Sequence, residues 1–278
     1  MRIRLSERLT CVADEITAYK KETHAAGRGA LTMIDVGCDH ALLPVYLIKE
    51  GIVQRAVASD IREGPLANAR KNAAAYGVED QMHIVISDGL QRIREHGDVL
   101  TICGLGGESI ARILTYADLR AVSVRRLILA PQSKIRSLRA YLRAAGFTFV
   151  REHMVREENH YYPVIVLDAP YLRTDSQKDP GETEDASPAY TGAVALLQRA
   201  GVTGKGDAYR IADRFGPCLL SSHDPVLFSY LRQQKETITQ TLAGMQPDQN
   251  DDASALLRVR LEDVEKALAC QAPEKRLS

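Results

Sequence analysis

The stretch Thr32-Met33-Ile34-Asp35-Val36-Gly37-Cys38-Asp39-His40 constrains the chain more than any other. An apolar run meets an acidic residue, then a glycine, then a second acidic residue. Ala41-Leu42-Leu43-Pro44 follow and open a new helical period. The pattern predicts a buried strand that ends in a tight turn, where Gly37 lets a ligand approach the backbone, and a helix that leaves at once. Such a turn at the carboxyl end of a first strand is a nucleotide-type site. A dinucleotide fingerprint needs three glycines at fixed spacing, and this turn has only Gly37. A ligand without a pyrophosphate is therefore favoured.

Strand and helix signals alternate downstream. A first helix is capped by Ser6 and carries Leu9, Val12 and Ile16 on one face. Strands are predicted over Leu31–Val36, Arg55–Ser59, His83–Ser87, Val99–Cys103 and Arg126–Ala130. The helices between them run through Val45 and Ile48, from Gly64-Pro65 to Tyr76, from Gly107 to Tyr116 and from Ser133 to Ala145. Pro65 falls in a first turn, where proline is tolerated. Repeated alternation of this kind gives a parallel sheet with helices on both faces. Two extended segments, Phe147–Val155 and Tyr161–Leu167, lie too close together for a crossover helix and should pair antiparallel. The expected fold is α/β, a Rossmann-like arrangement with a mostly parallel, seven-stranded sheet and an antiparallel last strand.

The domain expectation is a sheet domain over 1–168, an acidic linker or insertion over 169–212, and a helical hairpin over 213–278. Asp175, Asp179, Glu182, Glu184 and Asp185 stand among Pro180, Gly181 and Pro188 with few large apolar residues. Beyond Phe215-Gly216-Pro217, Asp224-Pro225 caps a helix carrying Leu227, Leu231, Ile238, Leu242 and Met245. A polar loop from Gln246 to Asp252 leads to Leu257, Leu261, Val264 and Leu268, a second apolar stripe that suits an antiparallel hairpin.

Composition narrows the remaining classes. The formal net charge is +0, so total charge gives no reason to expect a polyanionic partner. Cys11, Cys38, Cys103, Cys218 and Cys270 are scattered, which argues against a structural metal or a disulfide framework and fits a reducing, cytoplasmic setting. No apolar run approaches the roughly 20 residues that cross a bilayer. The opening Met1-Arg2-Ile3-Arg4-Leu5-Ser6-Glu7-Arg8 is too charged for a signal-peptide core. A metal-free, membrane-free monomer is expected.

The chemistry-bearing residues gather at predicted strand ends, where open α/β sheets bind ligands. Asp35, Gly37, Asp39 and His40 form the first turn. Asp60, followed by Ile61, ends strand two, where a carboxylate can accept both ribose hydroxyls of an adenosine. Ser87-Asp88-Gly89 ends strand three, with Asp88 placed to accept an adenine amino group. Cys103-Gly104-Leu105-Gly106-Gly107 ends strand four and can close on the rest of the ligand. Pro131-Gln132-Ser133 ends strand five, where an amide can meet a base. Among pyrophosphate-free nucleoside ligands, S-adenosylmethionine is the common one, and this set makes it the expected cofactor. Taken singly, an acid after a strand is often a helix cap, and glycines after a strand are often plain turn residues.

Combined, these motifs resemble a known family. Asp35-Val36-Gly37-Cys38-Asp39-His40-Ala41 with Leu43-Pro44, then Glu63-Gly64-Pro65, Ser87-Asp88-Gly89, Gly104-Leu105-Gly106-Gly107, Arg156-Glu157-Glu158-Asn159 with Tyr161, and Phe215-Gly216-Pro217-Cys218-Leu219-Leu220 are similar to motifs of the bacterial tRNA (adenine-22-N1)-methyltransferases. Leu5-Ser6-Glu7-Arg8-Leu9 resembles that family's N-terminal motif. Leu105 stands where the family usually has Met, and Ala130-Pro131-Gln132 where it usually reads Gln-Pro-Asn. The resemblance implies a class I methyltransferase that uses S-adenosylmethionine to methylate N1 of an adenine in the tRNA D-arm. It also makes Arg8, Gly107 and Tyr161 candidate substrate contacts. The polar neutral side chains of Gln132, after strand five, and Asn159, in the strand hairpin, are the candidate catalytic groups. Neutral adenine N1 already offers a lone pair, so polar neutral groups suffice and no strong base is needed.

Local charge favours RNA. Arg120, Arg125, Arg126, Lys134, Arg136, Arg139, Arg143, Arg151 and Arg156 stand against Glu152 alone. Arg136, Arg139 and Arg143 recur at helical spacing, which predicts one basic face for phosphate contacts; a merely solvated face is the plainer alternative. A methyltransferase of another RNA, a protein or a small molecule, and a non-catalytic RNA-binding protein on the same fold, are the competing classes.

Overall fold

The computed structural model describes residues 3–27, 29–172, 187–245 and 251–271. The chain divides into two compact units, Met1–Asp185 and Ala186–Ser278. In the first unit the elements are α1 (Glu7–Ala25), β1 (Thr32–Val36), α2 (Leu42–Lys49), β2 (Arg55–Asp60), α3 (Glu63–Tyr76), β3 (Met82–Ile86), β4 (Val99–Cys103), α4 (Gly107–Thr115), β5 (Arg126–Ala130), α5 (Ile135–Ala144), β6 (Thr148–Glu157) and β7 (His160–Asp168).

The strands form one seven-stranded sheet in the order β3-β2-β1-β4-β5-β7-β6. β1 to β5 are parallel, and β7 runs antiparallel between β5 and β6. The strand order reverses between β1 and β4, which opens a crevice at their carboxyl ends. The sheet expected from the sequence is therefore the sheet observed.

Period-two patterning decides what each face carries. Met33, Val99, Ile128, Ala130 and Val164 point to one face and pack with Val12 and Ile16 of α1 and Leu43 and Leu47 of α2. The alternate residues, Ile34, Leu100, Ile102, Leu127 and Leu129, are also buried. Both faces are thus covered, as parallel strands require. Ser6 caps α1 as its sequence position predicts, its hydroxyl oxygen accepting the Leu9 N–H at 3.4 Å.

Acidic residues of α1 tie it to the antiparallel end of the sheet. Glu15 accepts from Arg151 at 3.0 Å and pairs with His153 at 2.7 Å. Glu22 reaches Arg151 at 3.1 Å and Arg126 at 3.3 Å. Arg126 also donates to Asp168 at 2.8 Å. These partners engage Arg126 and Arg151, two of the basic residues that the sequence concentrates between Arg120 and Arg156.

Among the described residues of the second unit there are five helices: α6 (Pro188–Arg199), α7 (Lys205–Phe215), α8 (Pro217–Ser221), α9 (Pro225–Gly244) and α10 (Asp251–Ala269). The α9–α10 hairpin expected from the apolar stripes is present, with Lys235 paired to Glu265 at 2.9 Å. Asp224 caps α9 by accepting the Leu227 N–H at 2.7 Å. The linker expected over 169–212 needs correction, because α6 and most of α7 occupy its second half. Tyr190, Ala193 and Leu197 bury one stripe of α6, and Ala208, Ile211, Ala212 and Phe215 one of α7. Tyr190 donates to Asp213 at 2.6 Å, and the buried Asp263 of α10 receives Arg214 of α7 at 3.2 Å. The acidic cluster from Asp175 to Asp185 lies outside the described residues.

Candidate active site

The carboxyl ends of β1 to β3 and the start of α4 enclose a cleft of about 350 Å³. Gly37, Asp60, Ile61, Asp88, Gly89 and Leu105 line it, so six of the proposed cofactor contacts share one space. Local backbone chemistry builds this wall. Gly37 has φ +71°, and its N–H and that of Cys38 both donate to the Ser59 carbonyl, at 2.8 and 3.0 Å. A Cβ at Gly37 would stand 3.3 Å from the Leu105 side chain. Gly89 is tighter: with φ +58°, a Cβ there would come within 2.9 Å of Ile113.

Asp60 is 7% exposed and accepts the Arg62 N–H at 3.0 Å, so its carboxylate is fixed at the cleft wall. Ile61 is 64% exposed, a large apolar surface suited to cover a flat ring. Asp88 takes both nitrogens of Arg112, at 3.0 and 2.9 Å, and this guanidinium holds its carboxyl below the usual range. Asp35 lies deeper. It is 4% exposed, accepts the Thr101 hydroxyl at 2.5 Å, and is pushed up to about 7 by burial, the Thr101 bond opposing the shift.

The loops after β4 and β5 are knitted together beside the cleft. The Gly104 N–H donates to Ala130 at 3.0 Å, the Gln132 N–H to Leu105 at 3.0 Å, and the Gly107 N–H to Ser133 at 2.8 Å. Gly104 has φ +78°, and its Cβ position lies 3.6 Å from Gln132 Nε2, which brings the proposed base-facing amide beside the glycine loop. Gly106 bridges to Ser133. Gly107 was expected to touch substrate, but it is buried; a Cβ there would meet the Lys134 and Ser133 carbonyls at 2.7 and 2.8 Å. It serves packing between two loops.

Other expected residues fall elsewhere. Asp39 (φ +50°) and Ala41 (φ +53°) strain the turn into α2, and Asp39 and His40 lie exposed at 3.6 Å from one another, off the cleft wall. Asn159 is exposed in the β6–β7 turn, and among the described residues no hydrogen bond ties it to the β4 or β5 loop. Tyr161 is half-buried with the Arg156 guanidinium 5.9 Å from its ring. Arg8 lies 4.6 Å over the Tyr162 ring.

The basic face of α5 does not hold together. Arg136 is exposed and Arg143 half-buried, but Arg139 is 1% exposed and donates to the buried Glu152 at 2.7 Å. Arg139 sits between Leu138 and Leu142 on the apolar stripe, so it is no phosphate contact. The sequence reading also missed Arg112 and Ser109, which line the cleft with Ile113. Their signal was present: Ser109, Arg112 and Ile113 recur at helical spacing after the glycine loop. Burial and the nearby Asp35 push the Cys103 thiol up, the reverse of an activated nucleophile.

No helix among the described residues is long and apolar enough to cross a membrane, and no group of three or more His, Cys, Asp or Glu side chains among them could hold a metal ion.

The tRNA (adenine(22)-N(1))-methyltransferase of Bacillus subtilis (strain 168) is 31% identical over 168 residues, 60% of this chain and 66% of that protein. Alignments with proteins of Mycoplasma genitalium and Mycoplasma pneumoniae span 60% and 64% of their lengths, so the chain matches just under two thirds of each of these curated relatives. Among solved structures, Streptococcus pneumoniae Sp1610 in complex with S-adenosyl-L-methionine has a TM-score of 0.68 at 26% identity, covering 95% of this chain and 100% of that one. Bacillus subtilis TrmK shares the fold at a TM-score of 0.69 and 24% identity, covering 96% and 100%. The family described as "Methyltransferase domain" matches residues 5–165, more than half of the sequence, and the chain belongs to that family.

Proposed function

We propose that this protein methylates N1 of adenine 22 in the tRNA D-arm with S-adenosylmethionine as donor. One observation carries the cofactor: an anchored carboxylate, an exposed apolar side chain and glycine turns share one cleft at the ends of β1 to β3. The dimensions fit, since about 350 Å³ lies within the range for small-molecule sites. Asp60 is fixed to accept ribose hydroxyls, Ile61 can cover the purine, and Asp88 with Arg112 can meet its polar edge. The substrate reading rests on the resemblance of the strand-end motifs and on the named activity of the Bacillus subtilis relative.

When bound, S-adenosylmethionine supplies a methyl group made electrophilic by a sulfonium. The protein has little covalent work of its own. Adenine N1 presents its lone pair without losing a proton, so the site must orient the base and tolerate the positive charge it gains. Gln132 and the backbone carbonyls of the Gly104–Gly107 loop are the polar neutral groups beside the cleft. The target adenine has to leave its stack to arrive there. Tyr161 and Tyr162 each carry an arginine over the ring, Arg156 at 5.9 Å and the closer Arg8 at 4.6 Å, and we assign the stacking role to Tyr161, the aromatic of the strand-hairpin motif. Helices α6 to α10 lie outside the matched residues 5–165, and we assign them to holding tRNA away from the reacting base.

The test is incubation of the protein with unmodified tRNA and labelled cofactor, followed by nucleoside analysis. The expected product is 1-methyladenosine. A methylated pyrimidine, or no label in tRNA, would overturn the reading. Within the site, Asp60→Ala should weaken cofactor binding by roughly 1.5–3 kcal/mol, the range for hydrogen bonds to a charged group. Calorimetry on the folded variant measures it, and unchanged affinity removes Asp60 from the site.

A further inference from the structure

Lys134 is the only lysine or arginine among the described residues with a left-handed backbone, φ +54°. The fold demands that conformation. The Lys134 carbonyl accepts the Leu138 N–H at 3.1 Å as α5 begins, and a Cβ at Gly107 would stand only 2.7 Å from it. The kink thus turns the chain from β5 into α5 against the glycine loop of β4. Glycine or asparagine occupies such a position with little strain, and a lysine does not. Packing explains the kink but not the lysine.

The side chain gains little inside the fold. Its Nζ stands 3.7 Å from Glu108 Oε1, and the two side chains are 62% and 72% exposed. Among the described residues Lys134 has no other ion pair. A contact so long and so wet adds next to nothing to stability. A strained residue whose side chain does so little for its own chain points to something outside it.

The position of the pair says what that is. Lys134 lies two residues past Gln132, the amide beside the glycine loop, and Glu108 follows Gly107 directly. Ser109, the next residue, lines the cleft. Arg136 is exposed two residues beyond Lys134. The pair therefore stands on the rim that an adenine and its attached strand would cross to reach Gln132, and that strand carries a negative charge at every linkage.

We propose that Lys134 takes a phosphodiester of the tRNA strand beside the extruded adenine, and that Glu108 holds its place in the free protein and gives way to it. The inference rests on the substrate reading above and adds two rim residues to it. Lysine suits the task as a compact charge on a flexible stem, able to leave a carboxylate for a phosphate without a fixed fork geometry. Glu108 opposes the incoming strand, because like charges across an interface repel. The two members of one weak pair should therefore affect RNA binding with opposite sign.

The test measures binding of unmodified tRNA to the full chain from low to moderate salt, with a melting curve and a cofactor titration for each variant. Lys134→Asn, which tolerates the left-handed backbone, should melt no lower than wild type. It should weaken tRNA about threefold to tenfold and lower the salt slope by about 1, with cofactor affinity within about twofold. Lys134→Arg should keep the slope. Glu108→Gln should tighten tRNA by about twofold to fivefold, a gain that shrinks in the Lys134→Asn background if the carboxylate acts through the lysine. Unchanged tRNA affinity in Lys134→Asn, with a lower melting temperature, would give the lysine to the fold and overturn the inference. So would weaker binding in Glu108→Gln, or a loss of cofactor affinity in Lys134→Asn, which would assign the lysine to the cofactor's carboxylate. Wild type that bound no tRNA at all would overturn the substrate reading and this inference together, a result distinct from wild-type binding that neither substitution moves.

Discussion

The turn after β1 and the basic run from Arg120 to Arg156 are both short stretches with a strong chemical signature, yet their meaning is decided at different distances. In the turn, Gly37 adopts φ +71° and donates to Ser59 on the neighbouring strand, while Asp35 and Thr101 meet across paired strands. Residue type and local backbone nearly determine the outcome there. In the basic run, Arg126 and Arg151 are answered by Glu22 and Glu15 of α1, more than a hundred residues earlier. Arg139 is answered by Glu152 inside the core. A turn announces its geometry in its own residues. A charge run announces nothing until its partners are known, because a charge that leaves water must be paired.

The largest effect should break the second half of that comparison. If Arg139 belongs to the core, Arg139→Ala takes from the buried Glu152 the guanidinium 2.7 Å away, and stability should fall by about 3–5 kcal/mol, the range for breaking a buried ion pair. Urea denaturation measures this. The double replacement Arg139→Met with Glu152→Leu should recover most of the loss, since a well-packed apolar pair often equals a buried ion pair. A single variant as stable as wild type would mean that Arg139 can turn outwards, and the sequence reading of a basic face would stand after all.

The second prediction sharpens the first half. Burial pushes the Asp35 carboxyl from its ordinary 3.8 up to about 7. The folded protein therefore keeps a proton that the unfolded chain has already released. Stability from this group is fully present below the ordinary value and is lost as pH rises through about 7. Asp35→Asn carries no such charge. Free of ligand and above pH 7, the variant should be the more stable of the two by up to about 4 kcal/mol, with the gap closing towards pH 4. Urea curves at acid and alkaline pH test it, and parallel pH profiles would mean that Asp35 ionises as a solvated carboxyl does.

How much the sequence disclosed follows the same division. The seven strands, the antiparallel β7, the Ser6 and Asp224 caps and the lining residues Gly37, Asp60, Asp88 and Gly89 were all legible, because periodicity, capping and turn chemistry act over a few residues. Helix α6 was within reach, with Tyr190, Ala193 and Leu197 at helical spacing behind Pro188, but the acidic composition just before it dominated the reading. Three things were not legible. Gly107 reads as a loop glycine for a ligand and proves to be one that lets the β5–α5 loop pack. Arg112 gains its place only when α4 sets it against Asp88. Arg8 sits far from the strand ends in sequence and reaches Tyr162 only because α1 folds back onto the sheet.

The smallest effect belongs to what remains of the basic face. Arg136 is exposed at the start of α5, beside the β5 loop that carries Gln132, and has no ion-pair partner among the described residues. It is the member of the helical triplet free to meet a phosphate. If tRNA is the substrate as proposed, Arg136→Ala should lower the slope of log binding constant against log salt by about 1 and leave cofactor affinity unchanged. Arg143 is half-buried and engaged within the fold, so adding Arg143→Ala should change the slope by less than the first substitution. Binding measured from low to moderate salt decides between two pictures of α5. A slope reduced by about one for each arginine replaced would restore a continuous basic face, and a slope indifferent to Arg136 would leave the helix with no nucleic-acid role.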